Sequence, residues 1–114
     1  MGICHCTDCQ QLTGSAFTTY VYAPAKSFRL LGAKPKHYLK TSSETGNKRV
    51  QAFCPECGSR IYACADVEHP ERYNLRVGTI RQRRELRPQR QIWCRSALAW
   101  VMDLGSVERI EKQP

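Results

Sequence analysis

Three cysteines near the amino terminus are close enough in sequence to bind one metal ion. Cys4, Cys6 and Cys9 lie within the six-residue run Cys-His-Cys-Thr-Asp-Cys. Zn²⁺ favours thiolate ligands at about 2.3 Å in a tetrahedral arrangement, and three protein ligands leave the fourth position open, as in catalytic rather than structural zinc sites. We therefore predict that these three thiolates hold a reactive zinc ion.

A closed structural site is the alternative for the same three cysteines. Its fourth ligand could come from His5 or Asp8 locally, or from a cysteine farther along the chain: Cys54, Cys57, Cys64 or Cys94. We favour the open site, because the close spacing of the three cysteines lets a single loop supply all three ligands to one ion. Basic side chains nearby would help to keep such thiolates ionised.

A second cysteine pair lies in the run Cys-Pro-Glu-Cys-Gly at residues 54–58. Two thiolates two residues apart on a tight turn form a zinc knuckle, and Gly58 can adopt the left-handed conformation that such a turn requires. We predict that Cys54 and Cys57 bind metal in a structural role. Two thiolates alone hold an ion poorly, and the sequence does not plainly supply the other two ligands. Cys64 and Cys94 have the apolar neighbours of buried small hydrophobes rather than of ligands.

The composition restricts the class of protein. A chain of 114 residues is long enough for one domain with a single modest core. Seven cysteines, an odd number with five in ligand-like spacing, favour metal binding in a reducing compartment over a disulfide scaffold. No apolar run approaches the roughly 20 residues that span a bilayer, and no secretory signal precedes Cys4. We expect a cytoplasmic protein without membrane contact.

The net charge of +8 would attract anions. Six arginines are close together in sequence, with Glu85 as the only acid among them: Arg81, Arg83, Arg84, Arg87, Arg90 and Arg95. Such a run is typical of a solvated loop, which we favour, but it also occurs in nucleic-acid-binding proteins. It could equally help to dock a carboxylate-bearing substrate.

Short strands separated by turn residues predict a mainly β fold. Alternating or β-branched patterns indicate strands at residues 16–22, 27–31, 36–40, 48–53, 60–65 and 73–77, and a single helical turn at residues 10–15 ends at Gly14. The strands at 48–53 and 60–65 flank the cysteine turn, as in zinc ribbons.

Several motifs together resemble the glutathione-dependent formaldehyde-activating enzyme family. They are Cys-His-Cys-Thr-Asp-Cys-Gln at residues 4–10, Thr-Gly-Ser-Ala-Phe at 13–17, Phe-Cys-Pro-Glu-Cys-Gly-Ser at 53–59, Ile-Trp at 92–93 and Leu-Ala-Trp at 98–100. The resemblance implies one zinc-binding domain over residues 1–114, with a mainly β fold of the Mss4-like or β-tent type. It implies a catalytic zinc on Cys4, Cys6 and Cys9, and a structural zinc that Cys54 and Cys57 help to hold.

The family's founding activity joins formaldehyde to glutathione, giving S-hydroxymethylglutathione. The resemblance thus implies a zinc-dependent carbon–sulfur lyase-like enzyme whose partner is glutathione or another small thiol. The alternative function is a zinc-stabilised module that binds nucleic acid or another polyanion without catalysis, which the arginine run and the charge would suit.

Two features depart from the family pattern. Relatives usually carry a Gly-x-Cys-x-Cys-Gly strand ahead of the first cysteine motif, and its two cysteines complete the structural zinc site. This chain has only three residues before Cys4, so either the chain is truncated or this member lacks one zinc. Where relatives often have His-Ile-Trp, this chain has Gln-Ile-Trp beginning at Gln91.

Overall fold

The computed structural model describes residues 1–113 and shows a mainly β protein, as predicted. This part of the chain forms seven strands and one α-helix: β1 (Gly2–Cys4), α1 (Thr7–Thr13), β2 (Thr18–Pro24), β3 (Lys36–Thr41), β4 (Lys48–Phe53), β5 (Arg60–Ala65), β6 (Arg72–Arg76) and β7 (Arg90–Ile92). Five short 3₁₀ turns lie between or after them: Ala25–Ser27, Val77–Thr79, Arg81–Arg84, Cys94–Ser96 and Ala99–Met102.

All seven strands belong to one sheet in the order β3-β4-β5-β6-β2-β1-β7. Neighbouring strands are antiparallel, except that β1 and β7 run parallel. The strands from β3 to β6 follow chain order, whereas β1 and β2 lie on the far side of β6. The amino-terminal cysteine motif is therefore brought beside strands that are distant from it in sequence.

One face of the sheet is apolar and contains the core. Val50 pairs with Cys64, and Ala52 pairs with Tyr62, which in turn pairs with Leu75. Directly opposed residues share a face, so these side chains all point to the same side. Cys64 lies in this core with Tyr62, as the sequence predicted for a buried small hydrophobe.

The prediction of a strand at residues 27–31 is wrong. Residues 28–31 are irregular, because they belong to the connection from β2 to the edge strand β3, which must cross β6, β5 and β4. Phe28 packs over the apolar face on the way, with ring centroids 5.3 Å from Tyr62 and 4.4 Å from Tyr73. A segment that crosses the face of a sheet has no strand edge to pair with.

The opposite face is polar, and helix α1 packs across it. The strand register places one row of side chains on this face, running from β1 to β4: Cys4, Thr18, Tyr20, Arg76, Asn74, Ala63, Gln51 and Arg49. Asp8 of α1 reaches the far end of this row, where a carboxylate oxygen lies 3.2 Å from Lys40 Nζ on β3. Polar residues on this face are therefore enclosed rather than solvated.

Most of the other predicted elements are confirmed. The strands predicted at 48–53 and 60–65 are β4 and β5 with the predicted bounds, and those predicted at 16–22, 36–40 and 73–77 correspond to β2, β3 and β6 with shifted ends. Gly14 ends the helix in a left-handed conformation with φ of 61°. The helix begins at Thr7, inside the cysteine motif, whereas the sequence predicted its start at residue 10. Strands β1 and β7 were not predicted.

Within residues 1–113, no helix has the length and apolar character that a membrane crossing requires.

Replacing Gly2 by alanine should destabilise the sheet. A Cβ atom at this position would lie 2.6 Å from both Cζ and Oη of Tyr20 on the paired strand. The Tyr20 side chain is buried, so it would have to shift against its neighbours. Overpacking of this kind costs about 1–3 kcal/mol. Urea unfolding should show that loss for Gly2→Ala, whereas Gly78→Ala, with no atom within 4 Å of the new Cβ, should stay near the wild type. Equal stability of the two variants would contradict the close packing of Tyr20 on Gly2.

Candidate metal centre

The end of β1 and the start of α1 bring the three predicted thiols together. Cys4 is the last residue of β1, where pairing with Thr18 of β2 fixes its direction. Cys6 is the N-cap of α1, and its sulfur accepts a hydrogen bond from the backbone N–H of Cys9 at 3.4 Å. An N-cap side chain and the residue three positions later lie at the same helix end. The local fold therefore explains the spacing.

The sulfur atoms of Cys4, Cys6 and Cys9 all lie within 4.8 Å of one another. Thiolates bound to a tetrahedral zinc are roughly 3.8 Å apart, since each Zn–S bond is about 2.3 Å. A contraction of at most about 1 Å would close the cluster around an ion. The residues present therefore fit a zinc ion, as predicted from their spacing.

The pKa values of the three thiols also favour a cation at the cluster. A hydrogen bond from Cys9 lowers the pKa of Cys4 to about 6, against the opposing effect of burial. The same interaction raises the pKa of Cys9 well above its usual range, and burial raises the pKa of Cys6. Only one thiol of the three ionises easily by itself. A divalent cation would let all three ionise together, since the thiolate is the form that binds metal.

Neither local candidate for a fourth ligand belongs to the cluster. The His5 ring is buried, with Nε2 2.7 Å from Gln91 Oε1, and it stacks edge-on against Phe17. Asp8 accepts hydrogen bonds from the backbone N–H and the hydroxyl of Ser43. Burial disfavours its ionisation, but Ser43 and Lys40 outweigh burial and lower the pKa of Asp8. Among the residues that the structure describes, no fourth Cys, His, Asp or Glu joins the three thiols.

The position that departs from the family pattern has a structural contact. Gln91 on β7 is the partner of the His5 ring, so the first residue of the Gln-Ile-Trp motif contacts the cysteine loop. Gln10 of α1 strengthens the same region, because its Nε2 donates to the carbonyl of His5 at 2.8 Å and to that of Ser96 at 2.9 Å. These bonds tie the cysteine loop to the segment around Trp93.

A cavity of about 260 Å³ adjoins the cysteine cluster, between α1 and the polar face of the sheet. Its apolar wall contains Leu12, Ile92 and Trp93, and Trp93 has a left-handed backbone with φ of 58°. A non-glycine residue in that conformation costs about 1–3 kcal/mol and persists only where the surroundings impose it. The polar wall consists of Asp8, Thr18, Tyr20, Lys40, Ser42, Arg49, Gln51, Asn74 and Arg76.

Positive charge dominates the polar wall. The Arg76 side chain is buried, and burial followed by the neighbouring Arg60 lowers its pKa to about 10, against the opposing effect of Cys9 and Cys4. Arg76 Nη2 donates to Gln51 Oε1 at 3.1 Å, and Arg60 donates to the same oxygen. The one carboxylate of the wall, Asp8, is already paired with Lys40. Cations in this setting favour thiolates and bound anions.

The sequence did not indicate the polar wall. Arg49 and Gln51 on β4, and Asn74 and Arg76 on β6, alternate with apolar residues in the way that normally marks the solvent side of a strand. Only the packing of α1 over this face turns them into cavity residues. No single-sequence signal distinguishes the two cases.

The predicted pair Cys54 and Cys57 lies on the turn between β4 and β5. Gly58 has the predicted left-handed conformation with φ of 72°, and Cys57 Sγ is 3.2 Å from Ser59 Oγ. Within residues 1–113, no other ligand-type side chain completes a group of three with this pair. Metal binding there stays a prediction. Cys64 lies on the opposite face of the sheet from the Cys4 cluster, and Cys94 is exposed.

Four arginines of the run contact other groups of the protein. Arg90 stacks on the ring of Tyr22 at 5.4 Å, and Arg95 pairs with Glu44 at 2.6 Å. Arg83 and Arg87 donate to backbone carbonyls of their own turn. Binding of nucleic acid or another polyanion stays a prediction.

Comparison with known proteins identifies the family. The sequence model of the glutathione-dependent formaldehyde-activating enzyme family matches residues 1–96 of the 114-residue chain. A search of curated proteins found no significant match. The chain belongs to the glutathione-dependent formaldehyde-activating enzyme family, which confirms the resemblance based on the cysteine motifs.

The zinc ion at the first cysteine cluster should depend on the thiols of that cluster and not on the second pair. We expect Cys6→Ser to lose the ion at the cluster, because two thiolates hold zinc poorly, whereas Cys57→Ser and the exposed control Cys94→Ser keep it. Elemental analysis of purified protein measures zinc per chain. Loss of the same single ion in both Cys6→Ser and Cys57→Ser would mean that all five cysteines share one closed site.

Proposed function

From its membership of the glutathione-dependent formaldehyde-activating enzyme family, we propose that this protein is a zinc-dependent carbon–sulfur lyase-like enzyme. It would act on the adduct of formaldehyde with glutathione or another small thiol. Addition forms one C–S bond, and the thiol proton ends on the former carbonyl oxygen, so no further reactant is needed. The reverse reaction breaks the same bond.

The observation that carries the proposal is the cluster of three thiols beside a cavity. The sulfur atoms of Cys4, Cys6 and Cys9 lie within 4.8 Å of one another, and all three residues line the cavity. A zinc ion held by these residues would supply a Lewis acid with a free position for a thiolate or a carbonyl oxygen. An ion held by these three residues alone would have its fourth position free for a ligand in the cavity.

The other residues of the cavity suit a thiol substrate. Arg49 and Arg76 lie in the polar wall, and cations lower the pKa of a nearby thiol, which favours the reactive thiolate. Ile92 and Trp93 form an apolar wall that limits access of water to the reacting atoms. At about 260 Å³, the cavity is smaller than the roughly 300–1,000 Å³ typical of pockets for drug-sized ligands. It would receive the reacting end of a substrate such as glutathione.

The proposal also includes the second predicted zinc site, which is structural. Residues 1–114 would form one zinc-binding domain, with Cys54 and Cys57 contributing to a second, structural site. The support is the family membership and the turn geometry at Gly58.

Zinc-loaded protein should accelerate the formation of S-hydroxymethylglutathione from glutathione and formaldehyde. Exchange NMR measures the rate in both directions and separates it from the spontaneous reaction. We expect Cys6→Ser to fall to the rate in buffer because the cluster is broken, whereas Cys94→Ser keeps the wild-type rate. A wild-type rate equal to that in buffer would refute the enzymatic proposal.

A further inference from the structure

The cavity beside the cysteine cluster contains more positive charge than the protein neutralises. Three guanidinium groups lie in or directly behind its polar wall: Arg49, Arg76 and, through Gln51, Arg60. Lys40 and Asp8 pair with each other, so they cancel. Three thiolates around a divalent zinc carry one net negative charge, which offsets one guanidinium. The remaining cations lack a counter-charge among the described residues that line the cavity.

The guanidinium of Arg76 also has unused hydrogen-bonding capacity. Arg76 is only 9% exposed, yet its Nε has no hydrogen-bond partner among the described residues. Its Nη2 shares the neutral oxygen of Gln51 with Arg60. A buried charge is normally paired and fully hydrogen-bonded, because leaving it unpaired is costly. A buried arginine in this state indicates that an acceptor comes from outside the chain.

A second buried group in the same wall also lacks a partner. Asn74 is two residues from Arg76 on β6, so both side chains lie on the cavity face of the sheet. Asn74 Oδ1 is buried and has no donor among the described residues. Because this oxygen is an acceptor, it favours an N–H or O–H donor of a ligand and not the ligand's carboxylate. Arg49 lies in the same wall on β4.

We propose that Arg76, together with Arg49, forms a carboxylate-binding subsite that selects thiols carrying an anionic group near the sulfur. The inference rests on the proposed function, since the thiol of the same ligand reaches the cluster of Cys4, Cys6 and Cys9. A planar guanidinium binds a carboxylate through charge-assisted hydrogen bonds, and few other side chains match its geometry. The cavity of about 260 Å³ favours a ligand whose two groups are close together. The inference therefore concerns the smaller thiols of the proposed function, because the two carboxylates of glutathione lie at the far ends of its γ-glutamyl and glycyl residues.

Binding of a matched pair of small thiols tests the subsite without any reaction. The probes are 3-mercaptopropionate and its methyl ester, which share the thiol and differ in the negative charge. Calorimetry on zinc-loaded protein, without formaldehyde, should show the acid binding roughly ten- to a hundredfold more tightly than the ester. Arg76→Met should reduce that ratio to near one, and Arg76→Lys should restore part of it.

One further variant is a control, and another replaces Arg76→Met if that variant does not fold. Arg72→Met removes a charge from the same strand at an exposed position that does not line the cavity, so the ratio should stay at the wild-type value. If Arg76→Met fails to fold or loses zinc, Arg49→Gln decides, because this half-buried residue lines the same wall and its loss should lower the ratio several-fold. A wild-type ratio near one, or an unchanged ratio in a folded Arg76→Met or in Arg49→Gln, would overturn the subsite.

The result of this binding test can be distinguished from the result of the activity test of the proposed function. A high acid-to-ester ratio without acceleration of the formaldehyde reaction would refute the enzymatic activity and leave the subsite in place. Acceleration of the reaction with an acid-to-ester ratio near one would support the activity and overturn the subsite.

Discussion

The register of the antiparallel strands is the constraint on which the other features of this protein depend. In a pleated sheet, a shift of one residue moves every side chain of a strand to the other face. The pairing of β4, β5, β6, β2 and β1 places Val50, Ala52 and Tyr62 on one side and Gln51, Ala63 and Arg76 on the other. The core and the cavity are two sides of one hydrogen-bonding pattern, so a slip in register would destroy both.

The cysteine cluster and the arginines of the cavity are electrostatically complementary. Burial makes ionisation of three adjacent thiols costly, and it equally penalises the guanidinium of Arg76. Each group lowers the free-energy cost of ionising the other, since the thiolates favour the charged form of Arg76 and the cations favour the thiolates. This reciprocity explains why a buried, incompletely bonded arginine can persist next to a group of thiols. It also makes the cavity suited to anionic ligands.

The contacts around the cluster hold the cysteine loop in place through two amide side chains, Gln91 and Gln10. Gln91 contacts the His5 ring and keeps β7 joined to the cysteine loop, but an amide cannot exchange protons near neutral pH as an imidazole can. Proton transfer by the residue at this position is therefore not part of the mechanism proposed for this chain. The left-handed Trp93 is held by the same local network, in which Gln10 bonds to both Ser96 and His5.

The sequence alone determined the family, the mainly β class and the three thiols that come together, because the spacing of Cys4, Cys6 and Cys9 is a local property of one loop and one helix end. It also determined the helix end at Gly14 and the left-handed turn at Gly58. Only the tertiary structure decided that residues 27–31 cross the sheet instead of forming a strand, since that depends on where β3 pairs. Likewise, Arg49, Gln51, Asn74 and Arg76 look like solvent-facing positions in sequence. They become a cavity wall because α1 covers them, and no local pattern encodes what packs above a strand.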